Sequence, residues 1–440
     1  MQCYVCDQDN WEKLNGLHTK SLMQICKGCG TLCHEVDAER NKKMLDYYRT
    51  DYRGVPTHRN LITGSNKIQY VHSFLADWLK DKKNLVVGDV GAATGYLLNY
   101  FKGLGHKVTG SEYTINYRRM SEHFYGIPLT EELSKKHKYD LIVIYHVLEH
   151  MTEPDKKLLE YKSMLSENGV ILVATPYWLD KLENQDGTTF LDGVTRMTPQ
   201  DGFNHVFHKD HINCFSIQNL QNLFKKVGLT IVKENTVCYG QSYLLKPGAV
   251  QEINPEDWQT VRDIVFAQRK ALELQLTGRG NEAVKVWPLF PEAHMDLIFK
   301  VYGKDPERQQ DMLDSLPDAM KLHPRVLGAK GDWLEKYDKL DEAIQAYQQS
   351  YQIRPNILLL ERIASILARQ GKHREAMNVY GQVVMLHPYK WAEVQDNIIW
   401  NACKLPTWDE QALKMAKEAI FRQAVESKKV DVEEPELTGK

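Results

Sequence analysis

The 440-residue sequence lacks an excess of charge of either sign: 56 Lys and Arg face 58 Asp and Glu, for a net charge of −2. A dedicated nucleic-acid binder would show a strong basic surplus, so no such partner is expected. The sequence also lacks any apolar run near the roughly 20 residues that a bilayer-crossing helix needs. Its start, Met1-Gln2-Cys3-Tyr4-Val5-Cys6-Asp7, has no basic residues leading into an apolar stretch. Neither a membrane span nor a signal peptide is therefore expected, and the default setting is cytoplasmic. Cysteine is scarce over most of the chain. Of eight, only Cys214, Cys238 and Cys403 lie beyond residue 33. A secreted disulfide scaffold would distribute paired cysteines throughout, which excludes that class.

What is present divides into three regions. Residues 1–40 are Cys-rich and weakly periodic. Residues 60–240 alternate apolar runs with amphipathic stretches, and from about 255 the pattern is helix after helix. In the middle region, strands are predicted over Asn84–Val90, His106–Glu112, Tyr139–Tyr145, Val170–Ala174 and Leu229–Glu234, with a helix over Gly95–Leu104. Continuous Val/Ile/Leu strands between helices predict a parallel sheet covered on both faces, a doubly wound, Rossmann-like α/β domain. Lys246–Pro255 carries Lys-Pro-Gly and Asn-Pro and reads as a linker. Val430–Lys440 reads as a fraying tail. The expected domains are thus 1–40, 41–245 with a helical lead-in over 41–75, and 255–429.

The helical region contains a repeat. Leu322-His323-Pro324, Ile353-Arg354-Pro355 and Leu386-His387-Pro388 recur 31 and 33 residues apart. Glu342-Ala343 precedes Tyr347 by the same offset at which Glu375-Ala376 precedes Tyr380, and a weaker copy runs from Gly278 through Glu282-Ala283 and Trp287 to Pro291. A period near 34 with small and aromatic positions resembles tetratricopeptide repeats; an unrelated helical bundle is the other reading. Such repeats offer a concave surface to a protein partner.

The five early cysteines are grouped as Cys3-x-x-Cys6 and Cys26-x-x-Cys29, with Cys33 beyond. Two such knuckles present four thiolates, which complete a tetrahedron around Zn²⁺ and leave no position open for water. The expected metal ligands are Cys3, Cys6, Cys26 and Cys29, in a structural zinc ribbon whose metal replaces the core so small a unit cannot bury. Cys33 is read as a spare buried thiol, or one that exchanges with Cys29.

Asp89-Val90-Gly91-Ala92-Ala93-Thr94-Gly95 lies between a predicted strand and a predicted helix. Glycines let the backbone approach a ligand, and the helix N-terminus offers unpaired N–H groups. Glu112 closes the following strand, where an acid can accept both hydroxyls of a ribose. The spacing D-x-G-x-x-x-G, rather than G-x-G-x-x-G, resembles that of the class I S-adenosylmethionine-dependent methyltransferases. So do Tyr145-His146-Val147-Leu148-Glu149-His150 and Leu165-Ser166-Glu167-Asn168-Gly169-Val170, and the resemblance runs to about residue 235. It implies S-adenosylmethionine as cofactor, with Asp89, Gly91, Ala93 and Gly95 around its methionine end, Glu112 on its ribose, and Tyr145 and His146 beside it.

Cys26-Lys27-Gly28-Cys29, followed by Leu45-Asp46-Tyr47-Tyr48 and Tyr52, is similar to the zinc-ribbon branch of those methyltransferases, associated with sugar and polysaccharide modification. In relatives the tyrosine segment packs near the cleft; plain aromatic packing is the other reading. Phe207-His208-Lys209-Asp210-His211 resembles the place where sugar C-methyltransferases carry Tyr-x-Glu-His. Here it reads His208-x-Asp210-His211, which keeps the acid but removes the phenol. Together these imply a small-molecule or sugar acceptor methylated at oxygen rather than carbon, with His208, Asp210 and His211 as catalytic residues and His211 the candidate base. The same residues also admit a structural turn, or a divalent metal held with His205. The polar segment Tyr177–Asn204 is expected to cover the acceptor. Two further possibilities stand: an acceptor protein recruited by the repeats, and a non-catalytic scaffold.

Overall fold

The structure, a computed structural model, describes residues 2–15, 22–50, 58–176, 211–235, 241–288, 290–353, 356–386, 390–407 and 414–415. His205, His208, Asp210, Tyr52, the segment Tyr177–Asn204 and the tail Val430–Lys440 lie outside them. The chain divides into two compact units, Met1–His323 and Pro324–Lys440.

The first unit opens with three short antiparallel strands, β1 (Trp11–Lys13), β2 (Met23–Cys26) and β3 (Leu32–His34), which carry or adjoin the early cysteines. Helices α1 (Ala38–Thr50) and α2 (His58–Leu79) lead into a six-stranded sheet. Its first members are β4 (Val86–Val90), β5 (Lys107–Ser111), β6 (Tyr139–Tyr145) and β7 (Leu165–Thr175). These four run parallel in the order β5-β4-β6-β7. Leu141, Ile142, Val143 and Ile144 are all fully buried, which is why β6 reads as an unbroken apolar run: helices cover both faces of a central parallel strand. Helix α3 (Tyr96–Gly103) returns the chain from β4 to β5, and α4 (Ile115–Tyr125) and α5 (Pro154–Ser163) follow in turn.

The sheet is mixed, not wholly parallel. After a two-residue strand, β8 (Asn213–Cys214), come a helix (Ile217–Lys226), β9 (Leu229–Asn235) and β10 (Gln241–Pro247). Strand β10 lies between β7 and β9 and runs antiparallel to both. Asn235 and Gln241 are too close in sequence for the crossover of a dozen or more residues that a parallel partner requires, so the chain must return as a hairpin. The expected linker therefore starts at Gly248; Lys246 and Pro247 belong to the strand.

Strand β8 joins the other sheet instead. It pairs with β3, Leu32 opposite Cys214 and Cys33 opposite Asn213, giving the order β1-β2-β3-β8. A helix over Trp258–Leu276, capped by Asp257 accepting from Thr260 N at 3.0 Å, packs Val261, Ile264 and Val265 against Leu14, Ile25 and Leu32 of the cysteine-bearing sheet. Ala283, Trp287 and Phe290 extend this cluster, the two rings stacking at 4.7 Å.

In the second unit, helices begin at Pro324, Leu340, Ile357, His373 and Trp391. Ala343 and Ala376 are fully buried, and Tyr347 and Tyr380 are buried beside them. Tyr347 fills the space over Gly331 and donates its hydroxyl to Asp332 Oδ1 at 2.6 Å. Among the described residues no helix is long and apolar enough to cross a membrane.

Candidate active site

The carboxyl ends of β4, β5 and β6 meet at one edge of the sheet, where open α/β folds take their ligands. The loop from Asp89 to Gly95 leaves β4 there. Gly91 and Gly95 both hold φ in the left-handed region, +67° and +80°. A Cβ on Gly91 would stand 2.5 Å from Val147 Cγ2, and one on Gly95 2.2 Å from Ser121 Oγ, so both positions require glycine for conformation and for space. Ala93 also has positive φ, at +49°, held by a hydrogen bond from its N–H to Glu112 Oε2 at 2.9 Å. The other Glu112 oxygen accepts from Thr114 N at 2.9 Å. The carboxylate is thus locked beside the loop by two backbone donors, half-buried at the end of β5.

Asp89 is fully buried, and neither of its oxygens accepts a hydrogen bond from a described residue. Its partner is the buried Lys67 of α2, whose Nζ lies 3.8 Å from Asp89 Oδ2 and 5.0 Å from the centre of the Tyr145 ring. Burial pushes the Asp89 carboxyl up to about 6, although Lys67 opposes the shift. Burial would lower Lys67, but Asp89 outweighs it and holds the ammonium above its ordinary value. Sequence reasoning missed Lys67. Its signal is a lysine about one turn before Tyr70 and Val71 in α2, too weak to act on alone.

Strand β6 delivers Tyr145 and His146 to the same edge. His146 has φ of +56°, a costly conformation for a residue with a Cβ, and its N–H is held by Ala174 O at 2.8 Å. The chain then makes a short 3₁₀ turn over Leu148–His150. Glu149 is buried, with His146 Nδ1 at 3.4 Å and His150 Nε2 at 3.9 Å. Burial pushes its carboxyl up, yet the two imidazoles prevail and keep it below its usual range. Tyr48 Oη lies 2.9 Å from His150 Nδ1, and Thr114 Oγ1 donates to Tyr48 O at 2.9 Å, so α1 closes on the cleft.

His211, buried, stands with its ring 4.8 Å from that of His150. The strand that follows it is pinned twice. Its β8 pairing ties it to the cysteine-bearing sheet, with His34 N donating to Ile212 O at 2.8 Å, and Asn213 Nδ2 donates to Met151 O at 2.7 Å. Of the three residues read as catalytic, the described structure therefore brings His211 to the cleft edge.

The thiols of Cys3, Cys6, Cys26 and Cys29 converge, all four sulfurs within 4.8 Å of one another. Cys3–Cys29 and Cys6–Cys26 are 3.6 and 3.5 Å apart. Zinc–thiolate bonds of about 2.3 Å in a tetrahedron place sulfurs about 3.8 Å apart, so the donor set fits that ion. Cys33 faces Gln24 Nε2 at 3.6 Å, and burial pushes its thiol up, which suits an inert thiol better than a ligand.

Residues 59–234 match a family model described as a methyltransferase domain. Comparison with curated proteins gave no match. Among solved structures, the chain resembles magnesium protoporphyrin IX methyltransferase from Synechocystis with bound S-adenosylmethionine, at 12% identity and TM-score 0.33, over 49% of this chain and 100% of that one. It also resembles an S-adenosylmethionine-dependent methyltransferase from Leishmania major, at 20% identity and TM-score 0.34, over 48% of this chain and 85% of that one. The family match to a methyltransferase domain spans the glycine loop, its buried Asp89 and the fixed Glu112.

Proposed function

We propose that the enzyme methylates oxygen on a sugar or sugar-containing small molecule, with His211 as the base and Asp210 and His208 assisting it. The observation that carries the cofactor half is Glu112, fixed by Ala93 N and Thr114 N beside the loop. Glu112 would take the ribose hydroxyls, while Asp89, Gly91, Ala93 and Gly95 frame the methionine end beside Tyr145 and His146. The cofactor supplies an electrophilic methyl group on a sulfonium. The protein aligns the acceptor oxygen with it and removes the hydroxyl proton as the O–C bond forms and the S–C bond breaks. His211 is suited to that proton because an imidazole titrates near neutral pH.

Zn²⁺ held by Cys3, Cys6, Cys26 and Cys29 would be structural, stiffening the sheet that β8 completes and so fixing His211. A second reading is favoured by the recurring helix pairs from Pro324, with their buried Ala and Tyr positions. They would form tetratricopeptide-like repeats that recruit a protein partner or acceptor. The cytoplasm is the proposed location.

Calorimetry with S-adenosylhomocysteine tests the core of this reading. Micromolar binding is expected, weakened about 10- to 100-fold in Glu112→Ala, as befits hydrogen bonds to a charged group of about 1.5–3 kcal/mol. Transfer of labelled methyl from S-adenosylmethionine to nucleotide sugars then tests the acceptor. Absence of S-adenosylhomocysteine binding would sink the proposal.

A further inference from the structure

We propose that Glu149, His150 and His211 form a second metal centre, separate from the cysteine cluster, that takes a divalent first-row cation and presents it to the acceptor hydroxyl. The inference rests on the methyltransferase reading and changes one assignment in it: His211 becomes a ligand rather than the base.

Four observations converge. One ligand atom from each of the three residues lies within 4.8 Å of the other two. The Glu149 side chain is 2% exposed and faces only imidazoles among the described residues, His146 Nδ1 at 3.4 Å and His150 Nε2 at 3.9 Å, both beyond ordinary hydrogen-bond length, so its carboxylate keeps lone pairs for a cation. The Tyr48 hydroxyl sits at His150 Nδ1, 2.9 Å away, leaving Nε2 on the side of Glu149. Metal-bound imidazoles are held in this manner through their second nitrogen. The frame is also rigid. Asn213 Nδ2 donates to Leu148 O at 3.3 Å and to Met151 O at 2.7 Å, clamping the Glu149–His150 turn to the strand that follows His211.

Two imidazoles and one carboxylate suit Mn²⁺, Fe²⁺, Co²⁺ or Zn²⁺ and leave coordination positions for the substrate, unlike the closed four-thiolate set. The turn packs on the cofactor loop, since a Cβ at Gly91 would strike Val147. A cation here polarises the acceptor O–H, and the released proton passes to solvent as the O–C bond forms and the S–C bond breaks.

The test uses the full-length, zinc-loaded protein and Mn²⁺ alone as probe. Mn²⁺ prefers oxygen and nitrogen donors, so it does not displace zinc from thiolates. Spin resonance of free Mn²⁺ should show one ion bound per chain, with affinity lost at least tenfold in Glu149→Gln and His211→Gln and about tenfold in Tyr48→Phe. Zinc content and S-adenosylhomocysteine binding should be unchanged in all three. No Mn²⁺ binding, or equal binding in wild type and variants, overturns the metal centre while leaving the methyltransferase reading intact. Loss of S-adenosylhomocysteine binding by the wild type would instead overturn the methyltransferase reading, and the cation's role with it.

Discussion

At the scale of residues, the buried Asp89–Lys67 pair is a costly choice. Both groups are buried, and a buried charge left without its partner costs about 3–5 kcal/mol. Lys67→Met should therefore destabilise the protein by about that much near pH 8, read by urea denaturation. The Lys67→Met/Asp89→Asn double variant should recover most of the loss. The sign with pH follows from Asp89. Its native value of about 6 lies above the ordinary 3.8, so the native state holds more protons between them and this group's contribution declines as pH rises through that window. Without Lys67 the decline should extend to higher pH; a Lys67→Met cost independent of pH between 5 and 8 contradicts this account. Asp89, Gly91, Gly95 and Glu112, which the sequence singled out, lie together at the sheet edge in one local motif whose spacing reports its own geometry. Lys67 reaches the site through tertiary packing from α2, and the contact of Tyr48 with His150 comes likewise from α1. Neither pairing leaves a periodic trace in the sequence.

At the scale of elements, apolar continuity decided what could be foreseen. Strands β4, β5, β6 and β9 matched their predicted spans to within two residues at either end, β6 most sharply because burial of Leu141–Ile144 demands an uninterrupted apolar run. Strand β10 was missed: Gln241 and Ser242 are polar yet fully buried, and Lys246-Pro247-Gly248 reads as a break. The start of β7 was missed for a similar reason, since Ser166-Glu167-Asn168-Gly169 has the composition of a turn. In the helical unit, two glycines of one helix separate packing from propensity. A Cβ on Gly331 would lie 2.5 Å from the Tyr347 ring, whereas on Gly328 the nearest atom is 3.8 Å away. Alanine gains about 1 kcal/mol over glycine in a helix, while overpacking costs about 1–3. Thermal denaturation should show Gly328→Ala stabilised and Gly331→Ala destabilised; the same sign for both would refute close Gly331–Tyr347 packing.

At the scale of the whole molecule, two compact units predict two calorimetric transitions. If zinc stiffens the cysteine-bearing sheet, a strong chelator should lower the transition of the first unit, where Val261, Ile264 and Val265 pack on that sheet, and leave that of Pro324–Lys440 in place. A chelator that moves neither transition argues against a folded zinc ribbon.

The pairing of β8 with β3 carries a consequence for how the chain is made. Leu32 leaves the ribosome early, but its partner Cys214 is synthesised only after most of the central sheet. At about 5–20 residues per second, the nascent cysteine knot waits of order ten seconds or more with one sheet edge open. An unpaired edge is a template for foreign strands. If the four thiols take zinc, its early capture would shield them through that interval, and zinc limitation during expression should then lower the yield of correctly folded protein.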